Sequence, residues 1–333
     1  MIKKMSSPGV KPREHMDLAY ISIEIAISVA SVLGNVLIVL VVYVNQALHD
    51  TTFSFIASLA VADIAVGSLV IPLAIVISLG FRTQFYTCLV LSSLVLIITQ
   101  SSILSLLAIA VDRYLRIKIP TRYGDIVTQG RAYMAVCLCW TLSILSGLVP
   151  LVGWNNLHHG NFSNSKEIVC QFKTVIRMDY MVYFNFFVCV VVPLVLMIIL
   201  YGEIFRVIRQ QLNRRAEATC DGEKYYRKEL RLAKSLVLVV FLFIMCWMPI
   251  HIVNCIDFFC TDYDIPKFVV YVGIFMSHVN SALNPMVYAF RMKQFRLTLI
   301  QIIRRCMSCN PIMVPTRCPT SAIEGSENMA VNL

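Results

Sequence analysis

Charge is what this chain lacks most. Only 14% of its 333 residues are Asp, Glu, Lys or Arg, while 58% are hydrophobic. Soluble domains carry about a quarter charged residues, so this composition suits lipid rather than water. The common catalytic signatures are missing as well. There is no HExxH, no GxSxG, no phosphate-binding glycine loop and no paired CxxC at zinc spacing. A lone CxxC, Cys306 to Cys309, lies in a basic tail and carries little chemistry. An intramembrane enzyme would need a nucleophile with its base, or a metal cluster, at depth, and none is visible. A cleavable leader is not expected either, because residues 1–18 are polar and no short apolar core precedes the first long apolar run.

What is present is length in apolar runs. A spanning helix needs roughly 20 mostly apolar residues, and seven runs meet this: 19–43, 54–79, 88–111, 132–152, 180–204, 233–256 and 268–289. The expected architecture is an all-α membrane protein, a seven-helix bundle over 19–289. A tail, 1–18, precedes it, an amphipathic juxtamembrane helix, 290–305, follows, and 306–333 form a second tail. An odd span count without internal repeats argues against a repeat-built transporter. Of the 29 Lys and Arg residues, 20 lie on the side shared by segments 112–131, 205–234 and the C-terminal tail. That bias places the C-terminus inside and the N-terminus outside. Lys3, Lys4, Lys11 and Arg13 run against it. With the excess on loops and tail, the net charge of +10 points to a membrane surface rather than to nucleic acid.

Most of the twelve cysteines lie in or beside apolar runs, as small buried residues do. Cys88 and Cys170 are expected on the oxidising side and can bridge. Asn161, in Asn161-Phe162-Ser163, is a glycosylation sequon on that same side. Cys306 and Cys309 are candidates for palmitate, or are free thiols.

Polar residues at membrane depth are costly and usually face a cavity or one another. Asp63 sits mid-run in span two. Val95, Thr99, Ser102 and Leu106 share a face of span three; Ile274, Ser277, His278, Ser281 and Asn284 share one of span seven, with Asn280 close by. Asp63, Ser102, Asn280 and Asn284 can meet halfway down a bundle, either around a small cation such as sodium or as a closed hydrogen-bonded knot with Asp63 protonated. In span six, Trp247, His251 and Asn254 form one stripe beside Pro249. Pro193 and Pro285 likewise interrupt spans five and seven. His278 is expected opposite Glu24 of span one.

These residues carry a resemblance. "GNVL" with Asn35, "LAVAD" with Asp63, Cys88, "DRY" at 112–114, Trp140, Pro193 with Tyr201, "CWMP" at 246–249 and "NPMVY" at 284–288 follow the order and the one-per-helix placement of the rhodopsin-like (class A) G protein-coupled receptors. The chain resembles them along nearly all of 18–305. The resemblance implies a plasma-membrane receptor in which Arg113 pairs with Asp112 and Glu229. Opening of span six would hand Arg113 to a G protein, Tyr114 would belong to the same switch, and Tyr201 and Tyr288 would turn into the opened cleft.

Span three carries Val95 where amine receptors of the family carry an Asp, so an amine ligand is not expected. The outer residues instead resemble those of adenosine receptors. In their pattern Phe172 stacks on the purine and Asn254 reads the adenine edge, its amide both donating and accepting. Thr99, Ser277 and His278 meet the ribose, with Glu24 orienting His278 and Trp247 beneath the sugar. Leu96, Met181, Ile250 and Ile274 form apolar walls, and His251 shares the span-six stripe. The resemblance implies adenosine as ligand and no cofactor beyond the sodium ion. It also implies Gi/o proteins as partners that lower cyclic AMP, with arrestin and receptor kinases as further partners. Gln171, "RMDYMVYF" and the short Cys-bearing tail lean toward the A-three pattern; His251, Gln100 and "KYYRKELRLAKSL" resemble A-one. Another nucleoside-like or lipid ligand, or nucleoside transport, are the alternatives.

Overall fold

A computed structural model describes residues 12–45, 50–157, 167–215, 220–260 and 265–307. Asn161 and Cys309 lie outside the described residues, as does the Cys306 side chain. Among the described residues six helices are long and apolar enough to cross a membrane: Leu18–Val44, Thr51–Ser78, Phe85–Lys118, Gln129–Val152, Tyr180–Asn213 and Glu229–Phe259. The seventh, Lys267–Arg291, is less apolar because Ser277, His278, Asn280, Ser281 and Asn284 run along it, and all five are buried. These are spans one to seven below.

Several helices outrun the apolar segments that announce them. Span three is helical over Phe85–Lys118 and span six over Cys220–Phe259, beyond the expected 88–111 and 233–256. Hydropathy reports only the lipid-embedded part, whereas backbone hydrogen bonding continues the helix into polar sequence. Span one likewise starts at Pro12. At the other end, span seven runs to Arg291. Met292 breaks the helix, and the short amphipathic helix is Lys293–Met307, with Phe295 and Ile302 buried on its apolar side.

Spans two and five each contain a stretch of π-helix, Val66–Val70 and Tyr180–Val191, and in each a proline follows closely, Pro72 and Pro193. A proline has no N–H for the carbonyl four residues before it. Below Pro193 that carbonyl belongs to Cys189, and Gln100 Nε2 of span three donates to it across 2.9 Å. Asp179 caps the start of span five, accepting from Tyr180 N at 2.9 Å and from Arg177. Burial alone would raise its pKa, but these donors outweigh it and hold the carboxyl below the usual carboxylate range.

In lipid the helices gain little from hiding apolar surface, so close packing and interhelical hydrogen bonds hold the bundle. Gly147 of span four lies hard against span three. A Cβ there would overlap the Ile97 side chain and stand 3.0 Å from the Ile97 backbone N. Trp140 Nε1 donates to Ser58 Oγ at 3.1 Å, tying span four to span two. Asn35 Nδ2 donates to Ser31 O at 2.8 Å and Ser281 O at 2.9 Å, tying span one to span seven. The largest apolar cluster fills the bundle from mid-depth to the Arg113 end, among Ile38, Leu59, Ile109, Ile204, Phe243 and Tyr288. A second surrounds the Cys88–Cys170 bridge.

Candidate functional site

The Cys88–Cys170 disulfide joins the start of span three to the loop before span five, with Cα atoms 5.5 Å apart. Next to it, Arg82 and Thr83 pair antiparallel with Val169 and Ile168, and Cys170 N donates to Phe81 O at 2.8 Å. Bridge and ladder fix the loop at Cys170, so Phe172 starts a one-turn helix, Phe172–Val175, in a set position. The Phe172 ring packs against the cluster that holds Leu96 and Met181. Lys173 pairs with Asp257, one turn beyond Asn254, and so joins this loop to span six.

From the Asp257 contact the polar stripe of span six runs back along the helix through Asn254 and His251 to Trp247. Asn254 is half-buried, and its side-chain amide has no hydrogen-bond partner among the described residues. His251 is 3% exposed, stacks on Phe186 (4.7 Å between centroids) and on Trp247 (6.0 Å), and neither of its ring nitrogens is hydrogen-bonded. Trp247 Nε1 is buried without a partner too, and its ring stacks on Phe243 at 5.9 Å. Ile250 borders span seven at Gly273, where a Cβ would stand 3.2 Å from the Ile250 Cα; Ile274 follows one residue later.

Opposite, His278 Nδ1 meets Glu24 Oε2 at 2.7 Å between spans seven and one, with both groups buried. A carboxylate only accepts, so Nδ1 carries the proton; Nε2 makes no hydrogen bond among the described residues. Thr99 and Ser277 spend their hydroxyl protons on their own helices. Thr99 Oγ1 donates to Val95 O at 2.9 Å, and Ser277 Oγ to Ile274 O at 2.7 Å. Their lone pairs stay available. Taken together, these groups can accept and donate hydrogen bonds beside aromatic faces.

Deeper in the bundle, Asp63 is fully buried. Its Oδ2 accepts from Asn284 Nδ2 at 2.7 Å, while its Oδ1 has no hydrogen-bond partner. Ser102 and Asn280 are buried as well, but neither bonds directly to Asp63. Among the described residues no three His, Cys, Asp or Glu side chains cluster as a metal site. A site here would rest on one carboxylate and neutral oxygens, a donor set for a hard monovalent ion rather than zinc.

At the far end, span three passes from apolar sequence to the charged pair Asp112-Arg113. Arg113, 2% exposed, donates Nη2 to Asp112 Oδ2 at 3.1 Å and Nη1 to Glu229 Oε2 of span six at 3.3 Å. Asp112 is crowded with further donors that sequence reasoning missed. Thr51 Oγ1 (2.9 Å) and Tyr123 OH (2.7 Å) reach Oδ1, and Thr52 Oγ1 reaches Oδ2. Burial, and then the nearby Asp112 carboxylate, raise the pKa of the Tyr123 phenol, so it remains a donor. Tyr201 and Tyr288 are buried in the same cluster, with Tyr288 OH unpartnered. Tyr114 is only partly buried, packs on that cluster and takes no part in the Arg113 pairs. Phe186 also escaped notice, because a Phe in an apolar run gives no signal, and so did the structural role of Gln100, whose partner is a backbone carbonyl.

Comparison with known proteins agrees with this geometry. The profile described as 7 transmembrane receptor (rhodopsin family) matches residues 34–288. The chain is 49% identical over 294 residues to the adenosine receptor A3 of Ovis aries, covering 88% of this chain and 92% of that receptor. The Bos taurus adenosine receptor A3 is also 49% identical with the same coverage. To the adenosine receptor A2a of Homo sapiens it is 47% identical over 296 residues, covering 86% of this chain and 72% of that receptor. These are multi-pass plasma-membrane receptors rather than enzymes, and this chain belongs to the rhodopsin family of seven-transmembrane receptors and, within it, to the adenosine receptors.

Proposed function

We propose that the chain is a receptor for extracellular adenosine that signals through Gi/o proteins to lower cyclic AMP, with A-three-like preferences. The observation that carries the reading is the half-buried Asn254 amide on span six, to which the disulfide-anchored loop carrying Phe172 is joined through Lys173 and Asp257. An adenine edge offers the amine and ring nitrogen that such an amide complements, and Phe172 supplies the stacking face. His278, oriented by Glu24, turns Nε2 to the ribose, where the lone pairs of Thr99 and Ser277 accept its hydroxyls. Leu96, Met181, Ile250, His251 and Ile274 line the rest, and Trp247 lies below the sugar.

In this reading the disulfide end faces outward and the Arg113 end faces the cytoplasm, as the basic bias of the loops supports. Asn161 carries glycan outside; Cys306 and Cys309 carry palmitate inside. The unpartnered Asp63 oxygen supports a sodium ion held by Asp63, Ser102, Asn280 and Asn284 in the resting state. Agonist favours a state in which the outer ends of spans three, five, six and seven close around it and the inner end of span six opens. Glu229 then leaves Arg113, which engages the G protein; arrestin and receptor kinases would meet the same opened face. A buried ion pair resists separation unless a substitute is offered, so G protein and agonist reinforce each other's binding.

The test is cyclic AMP in cells expressing the chain. Adenosine should lower forskolin-raised cyclic AMP, pertussis toxin should abolish the effect, and labelled adenosine should bind without net uptake. A fall that survives the toxin would remove Gi/o coupling; accumulation of label would remove the receptor reading.

A further inference from the structure

Two arginines and three carboxylates meet at the Arg113 end, and one of the acids has no place in the switch as described. Asp50 precedes span two and caps it, its Oδ1 accepting from Thr51 N at 2.8 Å. Arg116 Nη2 donates to that same oxygen. The other oxygen, Oδ2, stands 3.9 Å from Arg113 Nη2. So one carboxylate faces both guanidiniums from a helix other than the one that carries them.

We infer that Asp50 is a positioning residue for Arg113, a second restraint that holds the guanidinium in the resting arrangement from the span-two side. This rests on the proposed role of Arg113. Two features of the geometry support it. Asp112 shares its two oxygens among Thr51, Thr52, Tyr123 and Arg113, so its hold on Arg113 is diluted by neutral donors. Asp50 also occupies Arg116, whose Nη2 lies 3.1 Å from Tyr123 OH and whose guanidinium carbon sits 4.6 Å above the Tyr123 ring. Released from Asp50, Arg116 has a short path along Tyr123 to Asp112, where it would compete with Arg113. Removing the Asp50 charge therefore loosens Arg113 twice, directly and through Arg116. Because Asp50 sits outside span six, its restraint adds to that of Glu229 rather than duplicating it.

The experiment compares Asp50→Asn, Asp50→Glu and Glu229→Gln with the unaltered receptor at matched surface number. It reads basal binding of a non-hydrolysable GTP analogue by Gi-containing membranes and agonist affinity without G protein. Asn caps a helix as well as Asp does, so Asp50→Asn keeps the start of span two and removes only charge. Expected is a basal rise of about two- to fivefold for Asp50→Asn, the scale of a partly exposed ion pair. Agonist affinity should rise with it, Asp50→Glu should stay near the unaltered receptor, and Glu229→Gln should give a larger rise. A purely structural role would lower surface number without raising basal activity or affinity. If Glu229→Gln raises basal activity and Asp50→Asn does not, the inference fails while the switch stands. If Asp50→Glu rises as much as Asp50→Asn, charge is not the cause and the inference fails. If neither Asp50→Asn nor Glu229→Gln raises it, the Arg113 switch itself is wrong.

Discussion

Replacing Glu24 by Gln separates the orienting role of this buried acid from the bulk of the pocket. Glu24 is fully buried; its Oε2 meets His278 Nδ1 at 2.7 Å, and its Oε1 is left without a hydrogen-bond partner. A hydrogen bond to a charged group contributes about 1.5–3 kcal/mol, roughly twice a neutral one. Gln keeps the volume and one accepting oxygen, so the bond survives in its weaker form and about 1 kcal/mol is lost, close to fivefold in affinity. Glu24→Met removes the acceptor as well and leaves a buried ring N–H unpaired, about 1–3 kcal/mol more; its loss should reach about thirtyfold or beyond. The loss should fall on ligands that carry a ribose, because the proposed function sets His278 against the sugar. Competition binding at matched surface number should show a ribose-free purine ligand changed by less than about twofold in both variants. Equal losses for the two ligand classes, or none for either, would refute the orientation argument.

Three further outcomes follow from the same geometry. Sodium should weaken agonist binding to the unaltered receptor by about fivefold or more, the usual range for coupled sites, and Asp63→Asn should abolish that sensitivity in a salt titration; persistence would remove the ion from this site. Gly147→Ala should force spans three and four apart at Ile97 at a cost of about 1–3 kcal/mol, seen as a lower melting temperature in detergent, whereas Gly202→Ala, with nothing within 4 Å of the added Cβ inside a helix, should not lower it. Cys170→Ala should release the loop that carries Phe172 and, at about 2–5 kcal/mol for a lost bridge, reduce agonist binding at the surface. Reductant should do the same to the unaltered receptor.

Much of this fold was legible because lipid punishes polar groups. Seven apolar runs announced the spans. The few ionisable residues within or just beyond them had to meet partners, and Glu24 with His278, Asp63 with Asn284, and Arg113 with Glu229 do sit within hydrogen-bond distance. Spans three and six outran their apolar runs because a helix continues in water wherever its backbone bonds and partners persist. The donors on Asp112 were hidden for a different reason. Thr51, Thr52 and Tyr123 lie in polar connecting sequence, where hydroxyls are ordinary, and only the folded geometry shows the three of them converging on the Asp112 carboxylate. Gln100 was noticed only as a difference between subtypes; its bond to the carbonyl freed by Pro193 depends on how spans three and five are set side by side. Phe186 lies beside His251 for the same unreadable reason.

The account depends most on Asn254 reading a purine. Saturation binding of a labelled adenosine agonist to Asn254→Ala, with receptor number fixed by surface antibody, tests this directly. Loss of a paired donor and acceptor in a half-buried site predicts a fall in affinity of about a hundredfold or more at unchanged surface number. Affinity within a few-fold of the unaltered receptor would contradict it.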